Sequence, residues 1–230
     1  MATDPQDRLA SIALLRELPQ TVRHKLEKRC RWRNIAAHEQ IIDRQSTSKD
    51  IYFVVEGSVR VVNYSLSERE ITFDNIIAGG HFGEMAAIDG EPRSATVVAL
   101  EPCVIGVLAP QDFRDVVTGD AVLSLRLMRR LARIIRISDD RIMDLSTLSA
   151  INRVHSELLR IAKIDDDDDN MAIITPIMTH SDIAARASTT RETVSRVLSN
   201  LARIRILERG KKALRVLDVD RLTNMIEDSE

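Results

Sequence analysis

Cysteine is almost missing from this 230-residue chain: Cys30 and Cys103 stand far apart and form no CxxC pair. A disulfide framework, a four-thiolate zinc site, an iron–sulfur cluster and cysteine-based redox sensing are therefore poorly supported. No run approaches the roughly 18 consecutive apolar residues that a membrane-spanning helix needs. Met1 to Gln20 lacks the basic start, apolar centre and small-residue cleavage site of a signal peptide, so a cytoplasmic chain is expected. Aromatics make up only 3%, yet 44% of the residues are hydrophobic and 30% charged, which excludes disorder as the main state and suits one large domain or two modest ones. There is no internal repeat.

Nor is there a large excess of either charge, since the formal net charge is −2. The distribution is uneven, however. Between Pro176 and Asp218 nine basic residues face four acidic ones, so this end of the chain prefers an anion. The acids gather instead in the run Asp165 to Asp169 and in the tail Glu227, Asp228 and Glu230. Adjacent carboxylates without the glycine and spaced Glu of a calcium loop do not wrap a cation, so the run reads as a solvated loop.

The first half has the pattern of β structure. After a helix ending near Arg29, short Val/Ile/Phe/Tyr-rich runs recur at Ile51–Val55, Val59–Tyr64, Ile71–Phe73, Ala95–Leu100 and Val104–Leu108. Glu56-Gly57, Gly79-Gly80, Asp89-Gly90 and Pro102 punctuate them. Such spacing predicts a closed barrel or jelly roll. From Ala121 to about Leu148 there is neither Gly nor Pro, and Met128, Leu131, Ile135, Ser138, Ile142 and Leu145 follow a heptad seam. Arginines and aspartates occupy the other faces, so the narrow stripe fits an identical helix from a second chain better than the barrel of its own. Ser138 interrupts the seam, as a residue that fixes register does, and a ligand could meet the helix there. The expected organisation is α+β: a sensor domain over 1–120, a dimerisation helix over 121–148 and a winged helix-turn-helix over 149–230.

In the last segment a helix from Ala150 to Ile164 precedes the Asp run. Thr179 to Arg186, a turn at Ala187 to Thr190, a helix from Arg191 to about Arg205 and a basic hairpin Ile206–Leu217 follow. Val194, Val197, Leu198 and Leu201 bury one face of the second short helix, leaving Arg191, Glu192, Ser195, Arg196 and Ser199 opposite. Arg bonds bidentately to guanine and Glu accepts from cytosine, so Arg191, Glu192 and Arg196 could read G·C pairs directly. Arg203, Lys211 and Lys212 suit phosphates. Alternatively Thr189 and Glu192 make a capping box and the arginines are a solvated face.

Gly80 to Ala95 inserts between strands. Its glycines allow backbone amides to approach a ligand, and a helical turn at Glu84–Ala87 would offer its first N–H groups to an anion. Arg93 supplies a cationic fork and Ser94 a hydroxyl donor. Glu84 would repel a phosphate unless it accepts from a ligand hydroxyl such as a ribose 2′-OH. The plain alternative is a hairpin with a Glu84–Arg93 salt bridge. No metal-ligand cluster and no nucleophile with a base at a recognisable spacing suggest an enzyme, and an anion held by Arg and amides without an activated water is a binding site.

Two motifs carry a family resemblance. Thr190-Arg191-Glu192-Thr193-Val194-Ser195-Arg196 resembles the recognition helix of the CRP/FNR family of bacterial transcription regulators, in its catabolite activator branch. The run from Phe82 to Thr96, F-G-E-M-A-A-I-D-G-E-P-R-S-A-T, resembles the phosphate-binding cassette of cyclic-nucleotide-binding domains. The resemblance covers nearly the whole chain in order. It implies that Gly83 and the amides of Glu84 and Met85 face a cyclic phosphate, that Arg93 and Ser94 hold its oxygens, and that Glu84 holds the 2′-OH. It places the purine near Ser138 and Asp139. Serine at 138 suits adenine, whereas the carboxylate of Asp139 could accept from N1–H and N2–H of guanine, pair with a partner arginine or stay solvated, so cyclic AMP is favoured and cyclic GMP stays open. Further implications are a homodimer, no metal or resident cofactor, double-stranded DNA with TGTGA-like half-sites read by Arg191, Glu192 and Arg196, and RNA polymerase as a partner. Ser188 departs from the family, which usually has a turn glycine there, and some backbone strain is expected. Clustered N-terminal cysteines of the oxygen-sensing branch are missing, and no axial haem ligands stand out among the five histidines.

Overall fold

A computed structural model describes residues 7–65, 70–165 and 168–227; Asp166 and Asp167 of the acidic run, and Asp228 and Glu230 of the tail, lie outside them. The chain divides into two compact units, 1–134 and 135–230. In the first, a 3-10 turn Arg8–Ser11 and helix α1 (Gln20–Arg29) precede eight strands: β1 (Arg31–Ile35), β2 (Gln40–Ile42), β3 (Ile51–Glu56), β4 (Ser58–Tyr64), β5 (Glu70–Ile77), β6 (His81–Phe82), β7 (Thr96–Ala99) and β8 (Cys103–Leu108). They form two antiparallel sheets ordered β1-β8-β3-β6 and β2-β7-β4-β5, the expected jelly roll. Helix α2 (Glu84–Asp89) sits between β6 and β7, and α3 (Pro110–Gly119) follows β8 with its proline at the first helical position, where no donor is lost.

Strand β3 shows why its sequence is apolar without alternation. Tyr52 and Val54 face the space between the sheets with Val59, Ile76, Val97 and Ile105. Ile51 and Phe53 face a second core made with Leu9, Ile12, Leu15, Leu26, Phe113, Leu123 and Leu127. A strand covered on both sides reads as a continuous hydrophobic run, and each fully buried side chain of this size contributes about 1.5–3 kcal/mol.

Helix α4 (Ala121–Thr147) begins in that core through Leu123 and Leu127. Along the expected seam, Met128, Ile135, Ile142 and Leu145 are exposed, each by more than half of its surface. The second unit adds α5 (Ala150–Ile161), β9 (Lys163–Ile164), β10 (Ala172–Ile174), α6 (His180–Arg186), α7 (Arg191–Arg203), β11 (Leu207–Arg209), β12 (Leu214–Val216) and α8 (Val219–Glu227). Val154, Leu158, Ile183, Val194, Leu201, Val216 and Leu222 form its core beside the sheet β11-β12-β10-β9. Caps fix the starts of its helices. Ser149 accepts from the amide of Asn152, and Thr179 and Asp182 form the reciprocal capping box that their spacing predicts.

Ser188, in the turn between α6 and α7, has φ 48°, the left-handed region that favours glycine. Its carbonyl and that of Ala187 accept from Arg153, at 3.1 and 3.0 Å. Ser188→Gly relieves about 1–2 kcal/mol of strain and returns about 0.4–1 kcal/mol to the unfolded chain, so a net gain of about 0.5–1 kcal/mol is expected in denaturant unfolding of this unit. In the first unit, burial and the Arg130 charge push His81 down to about 3 from its ordinary 6.5. The unfolded imidazole takes a proton below 6.5 that the folded one refuses, so stability is lost as pH falls from 6.5 towards 3. Thermal melts between pH 7 and 5 are expected to fall less steeply in His81→Phe than in the unsubstituted chain.

Candidate functional site

Two places combine polar chemistry with a rigid base. The first is the turn from β6 into α2. Gly83 caps α2 at φ 85°, and a Cβ there would lie 2.7 Å from Arg93 Nη1 and 3.0 Å from the Asp50 carbonyl. Glycine is thus required twice, for the backbone angle and for the approach of the arginine. Arg93 is 4% exposed. Its Nη1 donates to the Gly83 carbonyl at 3.0 Å, while Nη2 donates to the Asp50 carbonyl at 2.7 Å and to Ser48 Oγ at 3.0 Å. The guanidinium lies over the Tyr52 ring, 5.5 Å from its centre, and Tyr52 stacks on Phe82 with the ring centres 4.9 Å apart. Burial draws the Arg93 pKa down, opposed by Tyr52, Asp50 and Glu84. Its Nε is buried without a hydrogen-bond partner among the described residues.

Glu84, the first residue of α2, is 6% exposed, and burial raises its pKa against the pull of Arg130. The expected alternative of a Glu84–Arg93 bridge is corrected here. Its closest cation is Arg130 of α4, with Nε at 3.9 Å, and Arg130 Nη2 also donates to the His81 carbonyl at 3.2 Å. Met85 is about half exposed, and the exposed Ser94 hydroxyl meets its sulfur at 3.8 Å. Gly83, Glu84, Met85, Arg93 and Ser94 therefore stand together around one turn, as the sequence predicts. Ser138 and Asp139 belong to the second unit, where both are exposed on α4.

Sequence reasoning missed Ser48, Asp50 and Tyr52, which orient Arg93, and Arg130, which sits beside Glu84. Nothing local marks the first three. Arg130 was legible only as one of several arginines on a helix face.

The second place is α7. Val194, Val197, Leu198 and Leu201 are buried, while Arg191, Glu192 and Arg196 are exposed and Ser195 is half-buried. The predicted capping box of Thr189 and Glu192 does not form. Thr190 is the cap, accepting from the Thr193 amide at 3.2 Å, and Thr189 is buried with its amide on the Ala184 carbonyl. The α6–α7 turn spans Ala187 to Thr190, the expected bounds, and Ser188 takes the left-handed angle within it. Glu192 is held ionised by its own amide and by the Thr190 hydroxyl. Arg203, in the last turn of α7, donates to Asn200 at 2.8 Å, and Lys211 is exposed between β11 and β12. The result is a cationic surface with one carboxylate at its N-terminal end, a composition suited to G·C edges and phosphates.

Both places lie within stretches that match known families. Residues 32–120 match the cyclic nucleotide-binding domain family, and residues 152–225 match the Crp-like helix-turn-helix domain family. The chain is 32% identical over 166 residues to the cyclic AMP receptor protein of Thermus thermophilus, covering 72% of this chain and 74% of that one. It is 26% identical over 176 residues to the cAMP-activated global transcriptional regulator CRP of Salmonella typhimurium, covering 75% and 82%. In fold it resembles a CooA mutant from Carboxydothermus hydrogenoformans, with TM-score 0.75 at 20% identity over 92% of this chain and 93% of that one. Among the described residues no helix is long and apolar enough to cross a membrane. With a sensor of one family followed by a reader of the other, the chain belongs to the CRP/FNR family and is a cyclic-nucleotide-binding, DNA-binding transcription regulator.

Proposed function

We propose that the chain is a homodimeric regulator whose affinity for a palindromic operator is set by cyclic AMP. The observation that carries this reading is the preset cationic cradle: Arg93, 4% exposed, is locked against Gly83 and still has a buried Nε without a partner among the described residues. A guanidinium so placed complements an anionic phosphate group at little further ordering cost. In this reading Gly83 and the amides of Glu84 and Met85 face the cyclic phosphate, Arg93 and Ser94 bind its oxygens, and Glu84 accepts from the ribose 2′-OH. Arg130 would keep the Glu84 carboxylate charged for that task, since their ion pair opposes the effect of burial. Ser138 and Asp139 meet the purine.

Cyclic AMP is preferred because Ser94 and Ser138 fit it and because relatives carry its name. Cyclic GMP is a second reading, favoured by one feature: Asp139 offers an exposed carboxylate that can accept from N1–H and N2–H of guanine together, a pair of donors that adenine lacks.

Segment 1–120 senses, 121–148 pairs two chains and 149–230 reads DNA. The exposed Met128, Ile135, Ile142 and Leu145 support pairing, because such a stripe is otherwise left to water. Nucleotide that binds one arrangement of the paired helices better shifts the population towards it and sets the two α7 helices about 34 Å apart, one turn of duplex. Arg191, Glu192 and Arg196 read TGTGA-like half-sites with Ser195 beside them, while Thr190, Arg203 and Lys211 contact phosphates. RNA polymerase is the proposed protein partner.

Arg93→Ala is expected to remove heat-detected binding of both cyclic nucleotides while weak nonspecific DNA binding persists; undiminished nucleotide binding would refute the cradle. Arg196→Ala is expected to lose about 1–3 kcal/mol of preference at a single guanine position in operator selection, and an unchanged selection profile would remove Arg196 from the reading set.

A further inference from the structure

Glu157, on α5, is fully buried, with 0% of its surface exposed. A carboxylate so placed is costly unless cations surround it, and here three arginines do. Arg160 Nη1 approaches Oε2 at 2.7 Å. Arg141 Nη2, from α4, and Arg186 Nη1, from the last turn of α6, approach the same oxygen, Oε1, at 3.4 and 3.7 Å. Arg160 also reaches back to α4, where its Nη2 meets Asp144 Oδ2 at 2.7 Å, and Ser156 Oγ donates to that same oxygen at 2.7 Å. One turn earlier on α5, and so on the same face, Arg153 holds the two carbonyls of the α6–α7 turn. Helix α5 therefore grips the end of α4 with one set of charges and the helix-turn-helix with the other, and a single carboxylate oxygen belongs to both.

We propose that Glu157 is a positioning residue for DNA recognition: it ties the last turns of α4 to α6, so that α7 follows the movement of α4. The physical reason lies in the kind of contact. An apolar face can slide by fractions of an ångström at little cost, but a buried carboxylate shared by cations from two helices loses a charge-assisted contact if either helix moves alone. A buried ion cluster of this kind contributes little net stability relative to apolar packing and instead specifies one arrangement. Nothing local in the sequence marks Glu157, which sits at an apolar-faced position of α5 between Val154 and Leu158. The inference rests on the nucleotide-gated reading of the preceding subsection.

Arg141→Gln tests it. This change cuts the α4 side of the shared oxygen and leaves Glu157 paired with Arg160 and Arg186, so the unit keeps its fold. The quantity to measure is the ratio of operator affinities with and without saturating cyclic AMP, and separately cyclic GMP, at fixed salt. The ratio is expected to fall by about 5-fold or more, within the usual range of coupling between sites, while nonspecific DNA affinity stays within about 2-fold. A second variant, Glu157→Gln, and the double variant complete a cycle. The losses are expected to be non-additive, the double variant being no worse than Glu157→Gln alone. An unchanged ratio in Arg141→Gln, or additive losses, would overturn the link. An unsubstituted chain whose operator affinity ignores both nucleotides would instead overturn the gated reading, and this inference with it.

Discussion

Burial of a guanidinium is the constraint on which the sensor unit turns. Removing an arginine from water costs several kcal/mol unless its donors are met, and Arg93 meets most of them with groups that come from far along the chain. Ser48 and Asp50 precede β3, and Tyr52 within β3 stacks under the guanidinium. Gly83 yields the space and the angle. The jelly roll is what brings these residues together, because β3 pairs with β6 and so sets Tyr52 opposite Phe82. Two apolar cores on either side of β3 then hold the cradle still. Preorganisation of this kind spares a ligand the cost of ordering the site.

Charge does a different job in the second unit. There the exposed surface of α7 is cationic, and in the proposed reading its position depends on the buried cluster around Glu157. The same residue types serve two ends: exposed arginines on α7 are left for an anion, while Arg141, Arg160 and Arg186 are consumed by carboxylates inside the unit. Ser188 shows a tolerated conflict. Its left-handed angle is strained for a serine; the next residue, Thr189, is buried, Thr190 caps α7, and Arg153 holds the turn in that shape.

Much of this was legible from the chain. Strands β3, β4 and β8 announced themselves by apolar runs, α4 by its seam, and α7 by its buried stripe, although its cap is Thr190 and not the expected Thr189. Glycines flanking the cassette, with Glu84 and Arg93 ten residues or fewer apart, were enough to mark a candidate anion site beside the alternative of a ligand-free hairpin. What escaped is non-local. Strand β1, with the sequence RWRNI, buries only Ile35 fully, so its pattern resembles a polar linker, and β2 and β10 are three residues each. The partners of Arg93 lie about 40 residues upstream, and Arg130 differs in no local way from Arg129 or Arg133. Glu157 sits within a stretch that reads as an ordinary amphipathic helix, since the arginines that make its burial tolerable are brought to it by tertiary packing alone.

In the proposed reading, occupancy of the cradle changes the affinity of α7 for DNA. It is tested most directly by titrating a labelled TGTGA-type palindrome with the unsubstituted protein, at fixed salt, with no nucleotide, with cyclic AMP and with cyclic GMP. One nucleotide, cyclic AMP, is expected to tighten binding by about 5- to 150-fold, the range of typical coupling energies. Equal operator affinity in all three conditions would contradict it.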